Sequence, residues 1–322
     1  MPITSVTKDA DALTMTVVAD FDAPLRRLWD AYLDPRLLER FWGPPTYPAV
    51  FTRHDGFTGG RSEYAMTGPD GDVARGFWEW LSVDELAGFE VRDGFANPDG
   101  SPNEQMPAMR MVFAFEATPR GSRVTTTTYF ASVEELETLL GMGMEQGMSE
   151  AMGQIDAVLA DLASFAAGIG TATQLLSDTQ VRISRIIRGS VDDVWRAHHE
   201  PALMRQWLLG PEGWTMPVCE IATEVGQTYR YEWEQIEGGG RFGFTGTALE
   251  SRPPHRSVTT EAMIGTDGPS TTNELTLTPV EDGTLLSLLI TYPDADVRDM
   301  VLATGMTDGM EVSYARLESL IG

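Results

Sequence analysis

The sequence predicts an α+β protein made of two tandem copies of one domain, each a set of antiparallel strands closed by a long C-terminal helix. Three observations predict it. A helical signature at mid-chain, Gly143-Met144-x-x-Gly147-Met148, returns near the end as Gly305-Met306-x-x-Gly309-Met310. The stretch Val18 to Pro35, with Trp29 placed before its proline, returns as Ile183 to Pro201 with Trp195. Between these landmarks apolar and polar residues alternate with the period of half-buried strands. Matched positions lie between 162 (Gly143 to Gly305) and 170 residues apart (Gly76 to Gly246), a spacing that suits a duplicated domain and not a short solenoid repeat.

Each half reads in the same order. A short strand leads into a first helix, for which Asp22 and Ser190 are the expected N-caps. Pro24 falls in the first turn, where its missing N–H costs nothing, and Ser190 with Asp193 reads as a capping box. Asp34-Pro35 and Glu200-Pro201 open a second short helix that stops at a Gly-Pro turn, Gly43-Pro44 or Gly210-Pro211. Gly59-Gly60 and Gly226 then open strands. Arg75-Gly76-Phe77-Trp78-Glu79-Trp80 is matched with Thr245-Gly246-Thr247-Ala248-Leu249-Glu250. Met109, Met111, Phe113 and Phe115 alternate with more polar neighbours, as do Tyr229, Tyr231 and Trp233. Leu275, Leu277, Leu285 and Leu289 flank a hairpin turn at Glu281-Asp282-Gly283. That makes a strand, two short helices and five or six further strands per half.

The closing helix of the first half runs from Val133 to about Phe165, capped by Ser132, with Glu134 and Glu135 at the positive end of its dipole. Leu136, Leu140, Met144, Met148, Ala151, Ile155, Leu159 and Leu162 fall on one face. That face is the only available cover for the apolar side of the sheet. Gly143 and Gly147 interrupt it at about 1 kcal/mol each relative to Ala, so the missing side chains should serve either close packing or open space. The domains are expected at 1–165 and 178–322, with 166–177 as linker, and an internal pseudo-dimer of the two halves is one arrangement open to them.

Composition narrows the function. The 322 residues suffice for two domains. No apolar run reaches about 18 residues, so neither a spanning helix nor membrane insertion is expected. The N-terminus lacks a secretory pattern and Cys219 is the single cysteine, which together point to the cytoplasm. Acidic residues outnumber basic ones 48 to 23, for a net charge of −25. Such a field repels nucleic acid and serves either solubility or the steering of a cationic partner. No phosphate-binding loop, dinucleotide fingerprint or nucleophile elbow occurs, so no cofactor is expected. His198 and His199 are adjacent on a helix and diverge by about 100°, so they cannot share a metal ion.

The order V-W-x-A-x-x-x-P, then an aromatic-Gly-Pro turn, Gly-Gly, a Pro69-Asp70-Gly71 turn and a terminal glycine-containing helix resembles the START-like (SRPBCC, helix-grip) superfamily. Within it, each half is similar to the domain named after the C-terminal part of the activator of the heat-shock chaperone ATPase. The resemblance implies two tandem helix-grip domains, each a curved antiparallel sheet of about six to seven strands wrapped around the C-terminal helix, with a hydrophobic cavity between. It also implies an apolar ligand such as a lipid or polyketide, with cyclase activity in some relatives. The halves differ where Val83-Asp84-Glu85-Leu86 stands in place of Pro253-Pro254.

Candidate cavity walls are Trp42, Tyr64, Met66, Trp78, Met111, Phe113, Met144 and Met148 in the first half. In the second they are Trp207, Trp214, Tyr229, Tyr231, Trp233, Phe244, Met306 and Met310. Each could equally be plain core. A carboxylate or histidine facing such a cavity would carry acid–base chemistry, and His54, Glu63, Glu79, Glu232 and Glu234 are the candidates. The leading expectation is a non-enzymatic binder of an apolar small molecule. The alternatives are a cyclase, dehydratase or hydrolase, and a co-chaperone; a chaperone partner is the least expected.

Overall fold

The computed structural model describes residues 2–161, 170–209, 212–266, 268 and 270–322. Leu162, the expected helix end at Phe165 and the Gly210-Pro211 turn lie outside the described residues. The chain divides into two compact units, Met1–Leu162 and Ala163–Gly322.

The first unit runs β1 (Ile3–Asp9), β2 (Thr14–Phe21), α1 (Leu25–Leu33), α2 (Pro35–Leu38), β3 (Ala49–His54), β4 (Arg61–Thr67), β5 (Val73–Asp84), β6 (Gly88–Phe95), β7 (Ala108–Thr118), β8 (Gly121–Tyr129), α3 (Val133–Gly141) and α4 (Met144–Ala160). The second repeats it: β9 (Ala172–Leu175), β10 (Gln180–Ile187), α5 (Val191–His199), α6 (Pro201–Trp207), β11 (Trp214–Glu220), β12 (Thr228–Gln235), β13 (Arg241–Arg252), β14 (Arg256–Met263), β15 (Thr271–Val280), β16 (Gly283–Thr291), α7 (Ala295–Leu302) and α8 (Met306–Ile321). Each sheet has eight antiparallel strands, in the order β1-β2-β8-β7-β6-β5-β4-β3 and its counterpart β9-β10-β16-β15-β14-β13-β12-β11. The additional strand is the outer one. β9 lies inside the stretch expected as linker, where Leu175 and Ala172 pair with Val181 and Ser184.

Three local expectations change. Pro24, not Asp22, takes the N-cap position of α1, without a side-chain cap. The closing helix is two helices in each unit. Gly143 (φ +88°) and Gly305 (φ +77°) adopt the left-handed conformation that side chains disfavour and set the bend between α3 and α4 and between α7 and α8. The demand at these two glycines is therefore backbone dihedral, not volume. Gly147 and Gly309 do lie within helices, and an added Cβ would meet nothing within 4 Å at either. The third change concerns the strand match. Gly59 N donates to Trp80 O (2.7 Å) and Trp80 N to Gly60 O (3.1 Å); Gly226 N donates to Ala248 O (2.8 Å) and Ala248 N to Gln227 O (3.0 Å). A register shift follows Trp80 in one sheet and Ala248 in the other. Trp80 thus corresponds to Ala248 and Trp78 to Gly246, two residues off the pairing anchored on Gly76 and Gly246, because the bulge and not the glycine fixes the register.

Both closing helices pack on their sheets. Met152, Ile155, Val158 and Leu159 of α4 join Val17, Val124 and Phe113 in one buried cluster. Tyr314 and Leu317 of α8 join Ile187, Leu277 and Leu286. Arg185 of β10, almost wholly buried, ties sheet to helix by ion pairs with Glu311 and Glu318. Burial pushes the Glu311 carboxyl up, but hydrogen bonds from Arg185 and Thr171 outweigh it and hold the pKa at about 2.

Candidate functional site

The two sheets place different side chains at equivalent points. Trp78, Trp80, Phe89, Val91, Met111 and Phe113 of the first correspond to Gly246, Ala248, Ser257, Thr259, Asn273 and Leu275 of the second, by the shared bulge and the registers Trp80↔Val91↔Met111 and Ala248↔Thr259↔Asn273. In the first unit the large rings fill the interior. Trp78 and Trp80 are at most 1% exposed. Trp42 meets Trp78 edge-on at 4.5 Å, and Phe89 stacks on Phe113 at 4.5 Å. One continuous cluster of buried residues results. Among the described residues of the second unit, buried apolar side chains form four separate clusters, with Tyr229, Ala248, Val258 and Leu289 outside all of them.

Between those clusters lies a cavity of about 590 Å³. Its walls come from α5, α6, strands β11 to β16, the segment 221–224 and the first part of α8. All eight second-half candidates, Trp207, Trp214, Tyr229, Tyr231, Trp233, Phe244, Met306 and Met310, line it, together with Phe242, Trp195 and Gly309. Two indoles are fixed by their own N–H groups: Trp207 Nε1 donates to Ala197 O (2.9 Å) and Trp233 Nε1 to Leu208 O (2.7 Å). Phe242 stacks on Trp233 at 5.1 Å.

The wall also carries ionisable groups, the carboxylates Glu224, Glu250 and Glu261 and the imidazoles His198 and His199. The single proton of the Tyr229 hydroxyl is shared between Thr260 O (2.9 Å) and Glu261 Oε2 on β14 (3.2 Å), and the Asn273 amide also donates to Glu261. Burial pushes its carboxyl above the usual range. Tyr229 reaches it by lying across Gly246, where a Cβ would come within 2.7 Å of the ring and 1.8 Å of Thr260 O. His198 donates from Nδ1 to Val194 O (2.8 Å), and burial lowers its pKa to about 4, so the ring is neutral with Nε2 left as acceptor. His199 bonds Trp195 O in the same way (2.9 Å) and stacks on the Trp195 ring at 3.8 Å. Glu250, also on the wall, is paired with Arg252 and Arg256.

The first-half candidates Trp78, Met111 and Phe113 are buried in its core, with Trp42, Tyr64, Met66, Met144 and Met148 packed against it. A carboxylate sits among them too. Asp93, at the strand position that corresponds to Glu261, accepts from the Tyr64 hydroxyl (3.1 Å), and burial pushes its pKa up to about 7.

The five acid–base candidates lie elsewhere. His54 is enclosed: its Nδ1 meets Ser62 Oγ (3.0 Å), its Nε2 meets Tyr32 O (3.2 Å), and Trp80 Nε1 donates to Ser62 Oγ (2.8 Å). Glu63 pairs with Arg61, and Glu79 with Arg61 and Arg92. Glu232 and Glu234 alternate with Tyr231 and Trp233 and so face away from the cavity. Hydrogen bonds from Arg241 and Arg230 hold Glu232 below the usual carboxylate range. The carboxylates on the cavity wall are Glu224, Glu250 and Glu261, none of them among the sequence candidates. The strand of Glu261, Arg-Ser-Val-Thr-Thr-Glu-Ala-Met, has no clean alternation to show which face Glu261 takes. Among the described residues, no three His, Cys, Asp or Glu side chains gather as a metal site. No described helix is long and apolar enough to cross a membrane.

The family model described as Activator of Hsp90 ATPase homolog 1-like protein matches residues 22–160 and again 188–322. Among solved structures, a protein of Mycobacterium smegmatis is 46% identical over 50% of this chain and 98% of its own, with a TM-score of 0.47. A protein of Arthrobacter aurescens is 43% identical over 50% of this chain and 93% of its own, with a TM-score of 0.48. A protein of Rhodobacter sphaeroides is 32% identical over 47% and 96%, with a TM-score of 0.44. No curated protein matches the chain.

Proposed function

We propose, for a chain that belongs to the Activator of Hsp90 ATPase homolog 1-like family in two tandem copies, that the second copy binds one apolar small molecule between its sheet and its closing helices, while the first copy is a filled structural domain. The single observation behind this reading is the aromatic-walled cavity of about 590 Å³. That volume is in the range of pockets that hold drug-sized ligands. Its anchored indoles give a preformed surface, so binding costs little ordering of the wall. Titration of the full chain with phenylnaphthylamine, an apolar fluorophore that brightens out of water, tests it. Saturable enhancement is expected, and no enhancement up to the solubility limit overturns the reading.

A second reading, an acid–base enzyme, is favoured by one observation: Glu261 and the neutral His198 line the same cavity. It requires that a bound molecule be converted. Recovery of bound ligands unchanged after prolonged incubation removes it.

A further inference from the structure

Three carboxylates line the cavity, and Glu261 differs from the arginine-paired Glu250 and from the exposed Glu224 in being largely enclosed with no cation beside it. Glu250 has Arg252 and Arg256, Glu311 has Arg185, and Glu232 has Arg230 and Arg241. Among the described residues no ion pair reaches Glu261, and no lysine or arginine lines the cavity. The hydrogen-bonding groups it does have are neutral: the Tyr229 hydroxyl on β12 and the Asn273 amide on β15. The other titratable groups whose charge it senses are Tyr231 on β12 and Tyr292 just after β16, both phenols held neutral by burial first and by Glu261 second or later. A carboxylate set in apolar surroundings without a counter-charge is costly, and it is stabilised by whatever cation enters.

We propose that the ligand of this cavity is an apolar amine, whose protonated nitrogen pairs with Glu261 while its hydrocarbon body lies against Trp207, Trp233, Phe242 and Phe244. Three features converge on a cation. The carboxylate lacks a partner charge. The rings of Tyr229 and Tyr231, with centroids 4.7 Å apart, border it and attract positive charge through their faces. The excess of 48 acidic over 23 basic residues draws cations toward the molecule and disfavours anionic lipids such as fatty acids. The first unit supplies the contrast: Asp93 holds the equivalent strand position, but Trp42, Tyr64 and Trp78 occupy the space where an amine would sit.

This inference rests on the cavity reading, and the experiment separates the two. Naphthylmethylamine, naphthylmethanol and naphthoic acid share one apolar body and compete with phenylnaphthylamine on the full chain at neutral pH. The amine is expected to compete about tenfold better than the alcohol, with the acid weakest, as a charge-assisted contact requires. In Glu261→Gln the amine should lose its advantage and compete no better than the alcohol does in the same variant. Equal competition by amine and alcohol in the unaltered chain, or an amine preference that survives Glu261→Gln, overturns the amine proposal and leaves the cavity reading standing. Failure of all three and of the fluorophore overturns both.

Discussion

The two halves share one topology and differ in what the middle strands point inward. Where the first half has Trp78, Trp80, Phe89 and Met111, the second has Gly246, Ala248, Ser257 and Asn273. The backbone is retained, with the same bulge and the same bend at a left-handed glycine before the last helix. The difference ties the cavity to side-chain size at a few strand positions. Protein interiors are otherwise close-packed, so a cluster of small residues at the centre of a sheet leaves space that the surrounding structure does not close.

Four measurements break or sharpen that comparison. The largest effect should follow Trp80→Ala, which removes a ring at most 1% exposed from the filled core and should cost about 3 to 5 kcal/mol in denaturant unfolding of the full chain. Trp29→Ala should cost as much, whereas Trp195→Ala, whose ring already borders the cavity, should cost about half of that. Equal losses at Trp29 and Trp195 would mean that the two cores are equally tight.

Next is a pH effect assigned to one carboxyl of the first half. The Asp93 carboxyl is raised by burial to about 7, so folding favours its protonated form. As pH rises from the ordinary carboxylate range toward 7, the unfolded chain gives up this proton while the folded chain keeps it, and stability falls. Above pH 7 both states have lost it and the decline ends. Between pH 5 and 8 the loss attributable to Asp93 should be about 3 kcal/mol, and Asp93→Asn should remove it. A pH slope unchanged in Asp93→Asn would show that the carboxyl is not held protonated.

The smallest effects concern the glycines of α7 and α8. Gly305→Ala places a side chain at φ +77° and should destabilise by about 1 to 2 kcal/mol. Gly309→Ala, where a Cβ meets nothing within 4 Å, should stabilise the helix by up to about 1 kcal/mol. Losses of the same sign at both would mean that the second glycine is also under a backbone or packing constraint.

Much of this architecture was legible in the sequence. The repeated tryptophan-to-proline spacing and the Gly-Met signature gave the duplication, and the aromatic alternation of β12 placed Tyr229, Tyr231 and Trp233 on the cavity wall. Three things were not legible. A period-3.6 pattern continues across Gly143 because both helix segments bury the same side, so the bend was invisible. Aromatic residues mark an inner face but do not say whether it is packed or hollow. That depends on cross-strand neighbours such as Trp80 against Ala248, which only the bulged register identifies. Glu261 was hidden because its neighbours Thr259, Thr260 and Ala262 give no period to follow.

The stoichiometry of phenylnaphthylamine binding, measured calorimetrically on the full chain and on Ala248→Trp and Ser257→Phe, tests the central claim most directly. Those two substitutions restore to the second half the bulk that Trp80 and Phe89 give the first. One equivalent bound by the unaltered chain, and none by either variant with both still folded, is the predicted result. Two equivalents per chain, or binding undiminished in both variants, would contradict the account.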